Sequence, residues 1–91
     1  ADDRHNITPN DKVMLIIEDD VNFAKSLLEY TRQRGYRAVV AVRGDEGVVL
    51  AKQFKPAGIL LDIQLQVKSG WDVMQELKDD VRNGHVSVHM M

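Results

Sequence analysis

The sequence predicts an α/β protein, a doubly wound parallel sheet with helices on both of its faces. Three observations carry that expectation. The uninterrupted apolar runs Val13-Met14-Leu15-Ile16-Ile17 and Ile59-Leu60-Leu61 indicate strands buried on both sides, as in parallel sheets covered by helices. Segments with apolar residues three and four apart alternate with these runs. The stretches joining successive strands are too long for hairpins, so the order β-α-β-α-β-α-β requires crossovers, which are right-handed in parallel sheets.

Residues 1–12 form a polar lead-in in which Ile7 is the one sizeable apolar group and Thr8-Pro9-Asn10 reads as a turn; they are expected to act as a linker or tether into a domain spanning 13–91. The first strand, Val13 to Ile17, halts at Glu18-Asp19-Asp20. A helix is expected from about Val21 to Arg34, with Phe23, Leu27 and Thr31 at four-residue spacing and Ala24 and Leu28 alongside. Asp20 suits its N-terminus, Arg32 and Arg34 its C-terminus, and Gly35 the position just beyond. Tyr36 to Val42 reads as the second strand. Gly44-Asp45 opens a second helix carrying Val48, Leu50, Ala51 and Phe54, which Pro56 closes. Gly58 to Asp62 repeats the opening theme of a short buried strand ending on an acid. After a loop over residues 63–68, Ser69-Gly70-Trp71-Asp72 has the S-x-x-D form of a helix start, with Val73, Met74, Leu77 and Val81 as the apolar face. Trp71 and Met74 are expected in that helix's core. Asn83-Gly84 turns the chain into a last strand, His85 to Met91. Its free edge is a candidate surface for self-association.

Composition narrows the function. A chain of 91 residues, 44% hydrophobic and 29% charged, suits one small domain. With no Cys there are no disulfides, thiolate zinc sites or Cys nucleophiles, which suits a reducing compartment, and a cytoplasmic location is expected. No apolar run approaches the ~18–20 residues of a membrane span, so membrane contact is not expected. A net charge of −2 gives no electrostatic footprint for nucleic acid. Arg32, Arg34 and Arg37 read as a solvated basic surface, and His85 and His89 share a strand face without a third metal ligand.

The chemistry is expected at the strand ends. In open parallel sheets ligands bind outside the carboxyl ends of the strands, where the winding reverses. In the flavodoxin-like order 2-1-3-4-5 the first and third strands are neighbours, ~4.8 Å apart, which crowds Glu18, Asp19 and Asp62 into one crevice. Each acid has a bland explanation as a helix cap or strand terminator. Together they repel one another unless a cation intervenes. Mg²⁺, which binds one or two carboxylates and keeps several waters, is the natural candidate.

Leu15-Ile16-Ile17-Glu18-Asp19-Asp20, then Ile59-Leu60-Leu61-Asp62 with Asp62 43 residues after Asp19, then Ser69-Gly70-Trp71, resembles the receiver domain of bacterial two-component response regulators. The likeness runs from about Lys12 to Met91. It implies a phosphorelay module that takes a phosphoryl group from the phosphohistidine of a histidine kinase or phosphotransfer domain. It implies that Asp62 is the acceptor, that Asp19 binds Mg²⁺ directly and Glu18 mainly through water, and that the Gln64 carbonyl is a backbone ligand. Asp20 matches a more variable position and is left to cap the helix. Such a module is a phospho-acceptor rather than a conventional enzyme. The chemistry agrees, since a carboxylate is a competent nucleophile and phosphoryl transfer needs chiefly positioning and charge neutralisation.

There are departures from that family. Gln66 stands where it usually has Pro, and Pro56-Ala57 where it commonly has Pro-Asp. Its phosphoryl-binding Ser or Thr would fall one position past Met91 and its Lys later still, so the resemblance implies an incomplete domain lacking a fourth helix, fifth strand and fifth helix. Val86 to Met91 is similar to the fourth strand of receivers in hybrid sensor histidine kinases. The competing functions are a receiver-like docking or dimerisation module without turnover, and a Mg²⁺-dependent phosphohydrolase or nucleic-acid strand-breaking enzyme. The last is disfavoured because Gln64 occupies the place of a second acid.

Overall fold

The structure, a computed structural model, describes residues 2–62, 69–82, 84 and 86–91. The elements are β1 (Val13–Ile17), α1 (Val21–Gln33), β2 (Arg37–Ala41), α2 (Gly44–Phe54), β3 (Gly58–Leu61), α3 (Gly70–Arg82) and β4 (Ser87–Met90). The strands form one parallel sheet in the order β2-β1-β3-β4, with Ile17 in register with Ala41 on one side and Leu61 on the other. This is the order expected of a flavodoxin-like sheet.

Side-chain alternation along each strand builds two cores. Val13, Leu15 and Ile17 of β1 point to the same face as Val39, Ala41, Ile59 and Leu61, where Val48 and Ala51 of α2 and Val73 and Leu77 of α3 cover them. Ile16 and Ala38 point the other way, against Leu28 of α1, with Leu27, Val40 and Leu60 alongside. The sheet is therefore wound on both faces, and β1 and β3 read as continuous apolar runs because neither face is wet.

The helix ends carry the chemistry their sequences suggest. Asp20 is the N-cap of α1, its Oδ1 accepting from the Asn22 and Phe23 N–H groups at 3.0 and 3.1 Å. Gly35 follows the C-cap with φ +88°, a conformation open to glycine. The Asp72 N–H donates to Ser69 Oγ at 3.2 Å at the start of α3.

Several expectations need correction. Phe23 is 47% exposed, and the buried stripe of α1 is Ala24, Leu28 and Thr31. Trp71 is 67% exposed rather than core, whereas Met74 does pack against the buried cluster. Tyr36 and Val42 fall outside β2, and the last strand begins at Ser87. His85 lies outside the described residues, and His89 is exposed. The arginines, by contrast, are exposed as expected of a solvated surface, and each has a partner there: Arg32 pairs with buried Asp3 at 2.8 Å, Arg37 with Asp11 at 3.5 Å, and the Arg34 guanidinium sits 4.5 Å from the Tyr30 ring centroid. The lead-in also does more than enter the domain, since Asp2, Asp3 and Arg4 bond along the outer edge of β2.

Gly47 sets α2 close against the sheet. A Cβ there would lie 2.5 Å from Ile17 Cδ1 and 2.9 Å from Ile17 Cγ1, inside a fully buried side chain. Helix propensity alone favours Gly47→Ala by up to about 1 kcal/mol. Overpacking against Ile17 outweighs it, so the variant is expected to be about 1–2 kcal/mol less stable by urea unfolding.

Candidate metal centre

Glu18, Asp19 and Asp62 meet at the carboxyl ends of β1 and β3. The backbone ladders run one residue past the strands and set their positions. The Glu18 N–H donates to Ala41 O at 3.0 Å, and the Asp62 N–H donates to Ile17 O at 3.0 Å. Residues 18 and 62 thus continue the β1–β3 register at the point where α1 leaves on one face and α2 covers the other. One carboxylate oxygen from each of the three acids lies within 4.8 Å of the other two. Among the described residues this is the one such cluster of three or more potential metal ligands.

The three acids differ in environment. Glu18 is 5% exposed, while Asp19 and Asp62 are half-buried and open to the surface. Burial pushes the Glu18 carboxyl up from its usual 4.5 to about 7, helped by its hydrogen bond to Asp62 and by the charges of Asp62 and Asp19. A hydrogen bond from the Asp20 N–H to Glu18 Oε1, 3.3 Å, pulls the other way without prevailing. Near neutral pH Glu18 is therefore only partly ionised, which relieves the like-charge crowding with Asp62 and Asp19.

This donor set fits a hard divalent cation. All three groups offer carboxylate oxygen, and Asp19 and Asp62 are accessible enough for a bound ion to keep water ligands, as Mg²⁺ requires. Asp20 takes no part, its side chain being committed to the cap of α1. Gln64, from which a carbonyl ligand is expected, lies outside the described residues, as do Gln66 and Lys68. The structure thus brings Glu18, Asp19 and Asp62 together as the spacing implied. The burial of Glu18 and the upward shift of its carboxyl go beyond that expectation. Their signal in the sequence is that Glu18 follows five apolar residues without a break and so ends the strand below the surface.

A doubly wound parallel sheet with an acidic cluster at the ends of its first and third strands defines a class, and comparison with known proteins agrees with it. Residues 14–91 match the family model described as "Response regulator receiver domain", so the chain belongs to that family. Among curated proteins it is 35% identical over 77 residues to the polar-differentiation response regulator DivK of Brucella anthropi, covering 85% of this chain and 63% of DivK. It is 33% identical over 75 residues to the acid tolerance regulatory protein ActR of Rhizobium meliloti, covering 79% of this chain and 39% of ActR. The chain therefore spans less than two thirds of the length of these relatives. In fold it is similar to the chemotaxis protein CheY4 of Vibrio cholerae, with a TM-score of 0.79 at 16% identity over 88% of this chain and 67% of that one. The N-terminal domain of a response regulator receiver protein from Methanoculleus marisnigri gives 0.77 at 24% identity, over 86% of this chain and 63% of that one.

Proposed function

We propose that this chain is the phospho-accepting part of a two-component or phosphorelay pathway, with Asp62 as the acceptor. The donor is the phosphohistidine of a histidine kinase or phosphotransfer domain. A cytoplasmic location goes with that role, and among the described residues no helix is long and apolar enough to cross a membrane. The observation that carries the reading is the convergence of three carboxylate oxygens within 4.8 Å, one of them on a half-buried Asp at the end of the central strand β3.

The Asp62 carboxylate attacks phosphorus; an O–P bond forms as the P–N bond to imidazole breaks, and the nitrogen carries away the electron pair. The product is an acyl phosphate on Asp62. Asp19 and Asp62 would hold Mg²⁺ directly and Glu18 through water, with the Gln64 carbonyl as a further ligand. The ion, when bound, neutralises charge on the phosphoryl oxygens. Glu18 keeps the crevice from carrying its full negative charge before the ion and donor arrive, by holding a proton that can be released. Asp20 anchors α1 so that the Glu18-Asp19 turn keeps its shape.

The test is direct. Calorimetric titration with MgCl₂ should show one site, and incubation with acetyl phosphate and Mg²⁺ should add one phosphoryl mass, removable by mild base as expected of an acyl phosphate. A chain that is folded by circular dichroism yet binds no Mg²⁺ and gains no phosphoryl mass would overturn the reading.

A further inference from the structure

β2 is an edge strand, and its outward-facing backbone groups belong to residues 38, 40 and 42, since those of 37, 39 and 41 face β1. Every outward group on Ala38 and Val40 is taken by the lead-in, mostly through side chains. The Ala38 N–H donates to Asp3 Oδ2 at 3.0 Å and the Ala38 carbonyl accepts from the Asp3 N–H at 2.9 Å. The Val40 N–H donates to Asp2 Oδ2 at 2.8 Å, and the Val40 carbonyl accepts from Arg4 Nη2 at 2.9 Å. The Val42 N–H is held separately by Glu46 Oε1 at 3.1 Å.

The three lead-in residues are themselves tied down. Asp2 and Arg4 bond to each other, with Arg4 Nη2 2.8 Å from Asp2 Oδ2. Asp3, 5% exposed, takes a cation from α1, Arg32 Nη2, at 2.8 Å. Hydrogen bonds from Arg32 and the Ala38 N–H hold the Asp3 carboxyl below its usual range against the cost of burial. Two carboxylates, a guanidinium and the Asp3 backbone N–H thus stand in for the neighbouring strand that β2 lacks.

The strand beneath explains why such a cover is useful. Ala38-Val39-Val40-Ala41-Val42 is uncharged, β-prone and free of proline, the composition that makes a bare edge pair with other chains. We infer that the outer edge of β2 is a strand-addition site for a second copy of this chain, held closed by Asp2, Asp3 and Arg4. The edge is self-complementary. In an antiparallel pair about a two-fold axis through Val39, Ala38 of each copy faces Val40 of the other, and each facing pair exchanges both N–H···O bonds. That arrangement satisfies the same four groups the lead-in now satisfies, so the lead-in and a second copy exclude each other.

The test compares the parent chain with Asp2→Ala/Asp3→Ala by sedimentation velocity across a wide concentration range, together with residue-resolved amide exchange. In the parent, the Ala38 and Val40 amides should exchange slowly at every concentration. In the dilute variant they should exchange at least about tenfold faster. In the concentrated variant they should regain protection as a dimer forms. Association of the parent through another edge leaves this contrast intact, because the readout is local to residues 38 and 40. A variant that stays no more associated than the parent would overturn the inference. So would parent amides at Ala38 and Val40 that exchange as fast as that of exposed Asn10, a result that needs no variant. Should the double variant fail to fold, Asp2→Ala alone, which frees the Val40 N–H but leaves Asp3 on Ala38, is read at the Val40 amide: it should exchange at least about tenfold faster than in the parent, and parental protection there would overturn the inference.

Discussion

Asp62→Asn is expected to abolish phosphoryl acceptance from acetyl phosphate while leaving the chain folded and, without metal, slightly more stable above neutral pH. The substitution keeps the shape of the side chain and removes its nucleophilic charge; an amide does not form the acyl phosphate. The Asp62 N–H stays bonded to Ile17 O, since the change is confined to the side chain, so the β1–β3 register survives. The stability gain follows from the electrostatics. The hydrogen bond and charge of Asp62 are two of the reasons Glu18 is driven up to about 7. With a neutral amide opposite, ionised Glu18 loses a repulsive neighbour and gains an N–H donor, worth on the order of 1 kcal/mol. Intact-mass measurement reads the first effect, and urea unfolding with a chelator at about pH 8 reads the second. Phosphoryl uptake by Asp62→Asn at the parental rate would place the acceptor elsewhere. Lower stability with unchanged uptake would show that Asp62 serves the fold alone.

How far such a site could be read in advance depended on which physical signal each residue leaves. Strands buried on both faces leave unbroken apolar runs, and an acid that halts such a run has nowhere to sit but the rim of the sheet. Glu18, Asp19 and Asp62 were legible for that reason, whereas the order of β1, β2 and β3 followed only from taking the sheet as flavodoxin-like. Angular position on a helix is a finer matter. Residues four apart drift by about 40° per step, so the series Phe23, Leu27, Thr31 rotates off the face that Ala24, Leu28 and Thr31 hold, and Phe23 emerges into solvent. Trp71 is two positions from buried Val73, about 200° around α3, so its exposure follows from geometry even though its apolar surface suggested core. The lead-in was the least legible part. Asp2, Asp3 and Arg4 have the composition of a solvated tether, and no periodicity marks a carboxylate that bonds to a strand's backbone across 35 or more residues. That role exists only once β2 is known to lie at the edge.

Glu18→Gln is expected to remove a pH dependence that the parent chain carries. Because the folded-state value of Glu18, about 7, lies above its usual 4.5, its proton stabilises the folded chain. That contribution is fully present below about 4.5 and is lost as the pH rises through about 7. The metal-free parent should lose up to about 3 kcal/mol across that window from this group, whereas Glu18→Gln should not. The variant is therefore relatively more stable at about pH 8 and gains nothing at about pH 4. Magnesium reverses the balance. An ion in the crevice competes with the Glu18 proton, so the parent's Mg²⁺ affinity should climb with pH up to about 7 and then level off, with proton uptake by the buffer visible in calorimetry. The amide of the Glu18→Gln variant has no proton to release and no charge to offer, so the variant's Mg²⁺ affinity should be lower above neutral pH and free of this proton release. Parent stability that shows no relative loss against Glu18→Gln between about pH 5 and 8 would show that Glu18 holds no such proton. The position of the buried acid would then be a structural ending for β1 rather than part of a loading mechanism for the ion.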